Sequence, residues 1–174
     1  MILSIFKKKP DARIVRKVYN DIVAQSRQKL FYADWGIPDS VNGRFDLISL
    51  HMCLVFRRLK STDPEAKIFS QSLFDLFFLD MDRSLREMGA GDMVVPKRIQ
   101  KMGELFYGMA ESLSKALDEK DNDALQSCLV RNVYDGVQTP SLELLVQYVQ
   151  VQSEFLATQE PEAIHNGLIE FKQY

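Results

Sequence analysis

Apolar residues recur along this chain at helical rather than strand spacing. Between Asp11 and Leu30, Ile14, Val18 and Ile22 follow at four-residue steps beside Val15, Tyr19 and Val23, which marks one face of a helix. Asp11, after Pro10, is placed to cap it. Residues 31–43 lose the pattern and hold Gly36, Pro38, Asp39, Asn42 and Gly43, so they read as a loop; it carries the single tryptophan, Trp35.

A second helix is predicted from about Arg44 to Leu59, on the stripe Phe45, Ile48, Met52, Val55 and Leu59. Asp63-Pro64 opens a third, because aspartate caps well and proline is tolerated in a first turn. From Leu73 to Leu79 this helix is apolar on nearly every side, with Asp75 the exception, and that pattern places it in the middle of a bundle. Gly89 closes it, and Pro96 sits at the first position of a fourth helix. There Ile99, Met102, Phe106, Met109, Leu113 and Leu117 keep phase to about Lys120.

Asp121, Asn122 and Asp123 precede a short fifth helix with Leu125, Leu129 and Val133. Thr139-Pro140-Ser141 introduces a sixth with two apolar faces, Leu142, Leu145 and Val149 on one and Leu144, Tyr148, Val151 and Phe155 on the other. So wide an arc suits either two neighbours or a partner. A last short helix is predicted from Pro161 to Phe171. With no run of period-two strands, the pattern predicts an all-α fold, a single-domain helical bundle of about six or seven helices.

At 174 residues, 46% of them hydrophobic and 26% charged, the chain is of a size and composition to bury one core without staples. A net charge of −2 argues against a protein that coats nucleic acid through a broad basic field; no sequence-specific nucleic acid is expected, and a local contact with RNA stays open. The longest apolar run, Leu76 to Leu79, falls far short of the ~18 residues of a membrane span. Cys53 and Cys128 have no metal or redox spacing and read as structural thiols. At the N-terminus, Ile2, Leu3, Ile5 and Phe6 precede Lys7, Lys8 and Lys9, which reverses the order of a signal peptide. Residues 1–10 therefore read as a flexible basic and apolar terminus, with contact to an anionic membrane surface through Lys7, Lys8 and Lys9 as the functional alternative.

Chemistry-bearing residues concentrate around the turn between the third and fourth helices. Asp82 and Arg86, like Arg83 and Glu87, are four apart and can pair on the helix surface; with Asp80 they read as a structural charge network. Asp80 and Asp82 point to different sides of a helix, which disfavours a shared metal. Lys97, Arg98 and Lys101 begin the next helix, where cations oppose the macrodipole by up to ~1 kcal/mol each. They face either the acidic end of the preceding helix, Asp80, Asp82 or Glu87, or an anion outside the domain. Met88 and Met93 flank the glycine turn and are expected at the surface, where methionine adapts to irregular partners. Gly103 and Gly108 suggest a close helix approach.

His51 and His165 lack ligand-spaced neighbours, so His51 reads as a structural histidine, with heme ligation or pH sensing as lesser alternatives. No nucleophile elbow, P-loop or dinucleotide fingerprint occurs, so neither catalysis nor a cofactor or metal is expected.

Three segments occur in an order that resembles a known family: IPDSVNGRFDLISLHMCLVFRRL from Ile37 to Leu59, DMDRSLREMGAGDM from Asp80 to Met93 with its flanks, and SLELLVQYVQVQSEFL ending at Leu156. Together they resemble the ubiquinol-cytochrome c reductase chaperones, assembly factors of the cytochrome bc1 complex. The resemblance implies a helical chaperone domain over residues 11–174 that binds newly made cytochrome b. It also implies cytoplasmic location, at or near the inner face of a bacterial inner membrane, and leaves room for a second assembly factor. The candidate client-binding residues are Trp35, Met88, Met93, Lys97, Arg98 and Lys101. Two other readings stay open: a peripheral membrane or ribosome adaptor using Lys7 to Lys9 with Lys97 and Arg98, and a small-ligand binder or enzyme with a polar pocket near Asp80, Arg83 and His51.

Overall fold

The computed structural model describes residues 9–60 and 63–174, and Lys7 and Lys8 lie outside that range. Among the described residues there are seven α-helices and no strand: α1 (Ala12–Ser26), α2 (Val41–Leu59), α3 (Pro64–Glu87), α4 (Val95–Glu119), α5 (Asn122–Val133), α6 (Leu142–Ala157) and α7 (Pro161–His165). The helices start where local chemistry satisfies their free amides. Asp11 accepts from the Arg13 amide at 2.8 Å, Asp63 from Ala66 at 2.9 Å and Asp121 from Ala124 at 2.9 Å.

α2 begins three residues before the predicted Arg44. Ser40 caps it by accepting from the Gly43 amide at 3.1 Å, and the Gly43 backbone passes so close to Pro38 that a β-carbon there would sit 2.0 Å from the Pro38 carbonyl oxygen. The segment expected as loop is partly helical as well. Leu30–Asp34 forms a π-helical turn that drives Phe31 into the core.

The centre of the bundle is α2, not α3. α2 packs on α1, α3, α4, α5 and α6 and buries twelve residues from Gly43 to Leu59. α3 buries only a stripe, including Phe69, Leu73, Phe77, Met81 and Leu85, while Phe74 and Phe78 stay half-buried and Leu79 is exposed. Its all-round apolar sequence thus marks a helix with one face in the core and surplus rings at the edge.

α7 ends at His165 rather than Phe171, because Gly167 takes a left-handed φ of +88° and the chain then runs extended along α6. Two glutamines of α6 and its exit satisfy that extended backbone. Gln152 donates to the Lys172 carbonyl at 2.6 Å and accepts from its amide at 3.0 Å; Gln159 does the same for Glu170 at 2.8 and 2.9 Å. Ile169 and Phe171 are buried as a result.

Candidate functional site

The turn between α3 and α4 is built by glycine and proline. Gly89 adopts φ +87°, which ends α3, and Pro96 stands in the first turn of α4, where its missing amide costs nothing. Between them the chain exposes apolar side chains: Met93 is 82% exposed, Met88 52%, and Val94 is exposed beside them.

Acidic groups here are engaged with partners other than the α4 cations. Asp82 pairs with Arg86 at 2.6 Å, as the four-residue spacing predicted, and Arg86 reaches on to Asp92 at 2.5 Å. These two carboxylates hold the Arg86 pKa above its ordinary value. Asp80 turns the other way and accepts from the Tyr19 hydroxyl of α1 at 2.7 Å, so it ties α3 to α1 instead of joining the surface network. Arg83 and Glu87 are exposed, and no ion pair joins them among the described residues.

Lys97 and Arg98 are exposed and likewise have no ion pair among the described residues; Lys101 contacts Glu104 at 3.4 Å. The acidic end of α3 does not neutralise them.

Trp35 is a correction. It is 5% exposed, with Phe31, Tyr148 and Tyr174 against its ring at centroid distances of 5.4, 5.7 and 6.0 Å. The π-helical turn folds it inward, so its side chain belongs to the core and not to a surface. The imagined pocket near Asp80, Arg83 and His51 does not form either: His51 is wholly buried between Leu47 and Tyr148, while Asp80 faces Tyr19 and Arg83 faces solvent. Among the described residues no neighbouring helix makes a close approach at Gly103 or Gly108, since a β-carbon at Gly103 would meet only Phe78 Cε1 at 4.0 Å and one at Gly108 nothing within 4 Å.

Sequence reasoning missed an aromatic ridge between α3 and α4. The Phe74 ring lies tilted against Phe78 at 4.5 Å and Tyr107 at 5.6 Å and edge-to-face with Phe106 at 5.5 Å, and Tyr107 is 63% exposed with Leu79 and Leu105 exposed on the same two helices. The available signal was the excess of rings over what one helical stripe can bury. Among the described residues, no group of His, Cys, Asp or Glu is arranged to hold a metal, and no helix is long and apolar enough to cross a membrane.

Fold and edge together define a helical domain whose distinguishing feature is a surface, apolar and cationic at one turn. The family described as ubiquinol-cytochrome C chaperone matches residues 33–171, and the chain belongs to that family, the assembly chaperones of ubiquinol-cytochrome c reductase. It is similar to ubiquinol-cytochrome-c reductase complex assembly factor 1 of Xenopus laevis, 24% identical over 148 residues that cover 84% of this chain and 74% of that protein. The mouse and human proteins of the same name are also 24% identical, and there the chain spans about half of their length, 50% and 49%. The crystal structure of the Cbp3 homolog from Brucella abortus superposes with a TM-score of 0.86 at 39% identity, covering 99% of this chain and 97% of that one.

Proposed function

We propose that this protein binds newly made cytochrome b through the α3–α4 edge and supports its incorporation into the cytochrome bc1 complex, from the cytoplasmic side of the membrane. The observation that carries this reading is the turn itself, where Met88, Met93 and Val94 are exposed next to Lys97 and Arg98, cations with no ion pair among the described residues. A client made of membrane helices offers apolar segments of irregular shape, which exposed methionines accommodate, and charged loops, which unpaired cations hold. The Phe74, Phe78 and Tyr107 ridge lies on the same pair of helices and extends the apolar surface.

The protein acts by binding and not by catalysis. Supporting this, both thiols are buried and burial pushes Cys53 well above the usual thiol range, away from the thiolate a nucleophile needs. The test is the double variant Lys97→Glu/Arg98→Glu in the native host. Less cytochrome b recovered on the tagged protein, less assembled bc1 complex on native gels, and an unchanged melting temperature are expected. Normal cytochrome b capture and bc1 assembly by that variant would remove the α3–α4 edge from the reading.

A further inference from the structure

Charge is unevenly distributed along this chain. Residues 1–30 hold eight of its 22 lysines and arginines but only two of its 24 acids, Asp11 and Asp21. That is an excess of six cations in a chain whose net charge is −2, so the other 144 residues carry an excess of eight carboxylates.

The fold gathers the described part of that excess on one surface. α1 buries Val15, Val18, Tyr19 and Ile22 against α2, α3 and α7, and the residues on its opposite side are exposed among the described residues. Arg13, Arg16, Lys17 and Arg27 are all exposed. At about 100° per residue they fall within an arc of roughly 100°, a stripe about 21 Å long. Arg13 is tied to Asp11 at 2.7 Å and Lys17 to Asp21 at 2.8 Å, whereas Arg16, Arg27 and Lys29 have no ion pair among the described residues. The stripe ends at a shallow cleft of about 690 Å³, where Arg27, Lys29 and Arg44 surround Tyr32 and Asp39.

We propose that the outer face of α1 is a docking surface for an anionic lipid bilayer. Charge complementarity calls for a polyanion, and two features favour lipid headgroups over RNA. The chain entering α1 carries Ile2, Leu3, Ile5 and Phe6 directly before Lys7 to Lys9, and an apolar anchor joined to a polybasic patch is the pair of signals that stable surface binding takes. The helical stripe carries no exposed aromatic ring on which bases would stack, and the ring in the cleft at its end, Tyr32, is half-buried with its hydroxyl tied to the Ser26 carbonyl at 3.0 Å. The inference goes beyond the client reading and does not depend on it.

The experiment is co-sedimentation of the full chain, without client, with phosphatidylcholine vesicles and with vesicles that also contain phosphatidylglycerol. Binding to the anionic vesicles alone, released by added salt, is expected. The variant Arg16→Gln/Arg27→Gln/Lys29→Gln changes three exposed side chains. It is expected to keep its circular dichroism and melting temperature and to lose binding on the order of a hundredfold, at about fivefold per cation. Equal binding to neutral vesicles, or undiminished binding by the folded triple variant, would overturn the proposal. So would salt-sensitive binding of a ribosomal RNA fragment with no binding to either vesicle, which would assign the stripe to nucleic acid.

Discussion

The Tyr148 hydroxyl lies 2.6 Å from His51 Nε2, joining α6 to α2 in the middle of the core. The other ring nitrogen of His51 is 2.7 Å from the Leu47 carbonyl, which can only accept, so Nδ1 carries the proton and Tyr148 donates to Nε2. Gln25 of α1 in turn donates to the Tyr148 oxygen at 2.8 Å, and Gln28 donates to Gln25 at 2.8 Å. Four residues from three parts of the chain thus satisfy one another in a single direction, which is what lets a histidine and a tyrosine occupy a dry interior.

Tyr148→Phe removes the hydroxyl and leaves both His51 Nε2 and the Gln25 amide without that partner. A loss of about 1–3 kcal/mol is expected, read as a fall in melting temperature of about 2–4 °C per kcal/mol. A variant as stable as the parent would mean that water enters and replaces the hydroxyl.

Burial lowers the His51 pKa from 6.5 to about 4. The unfolded chain therefore binds a proton that the folded one refuses, and this contribution to stability is lost as pH falls from 6.5 toward about 4, with a slope approaching 1.4 kcal/mol per pH unit. Denaturant midpoints across that range check the sign, and the slope should shrink in His51→Gln.

Asp46 works in the opposite direction. Burial, with the nearby Asp135 charge adding to it, raises its pKa from 3.8 to about 7. Its contribution is present below 3.8 and is lost as pH rises through about 7, where a half-buried carboxylate must ionise. Asp46→Asn is accordingly expected to be more stable than the parent at alkaline pH, by on the order of 2 kcal/mol, and to lose that advantage near pH 4.

Two glycines in helices should respond with opposite signs. Gly43→Ala drives a methyl group into the Pro38 carbonyl and is expected to cost about 1–3 kcal/mol. Gly108→Ala meets nothing within 4 Å and is expected to gain about 0.4–1 kcal/mol by restricting the unfolded chain. Thermal melts of the two single variants settle both.

The aromatic ridge gives a test of the client surface that leaves charge untouched. Leu79→Ser/Tyr107→Ser alters two exposed side chains, so stability should stay within about 1 kcal/mol while capture of client falls several-fold. Full capture by this variant would confine the client surface to the turn around Met88 and Met93.

What the chain determines by itself is whatever acts within a few residues. Asp11, Asp63 and Asp121 cap helices because each carboxylate meets an amide two or three positions on, and Gly89 and Pro96 end and begin helices through their own backbone preferences. The all-helical class, the Asp82–Arg86 pair and the family segments are legible for the same reason. Burial is decided elsewhere. Whether Trp35 faces a partner or the core depends on Tyr148 and Tyr174, more than a hundred residues away, and on a π-helical turn that periodicity does not encode. Likewise α2, whose pattern looks ordinary, is enclosed by five helices, while the more apolar α3 lies at the edge with rings to spare. A helix has no record in its own sequence of how many neighbours will surround it, so the tertiary structure alone decides which apolar residues become core and which remain as surface.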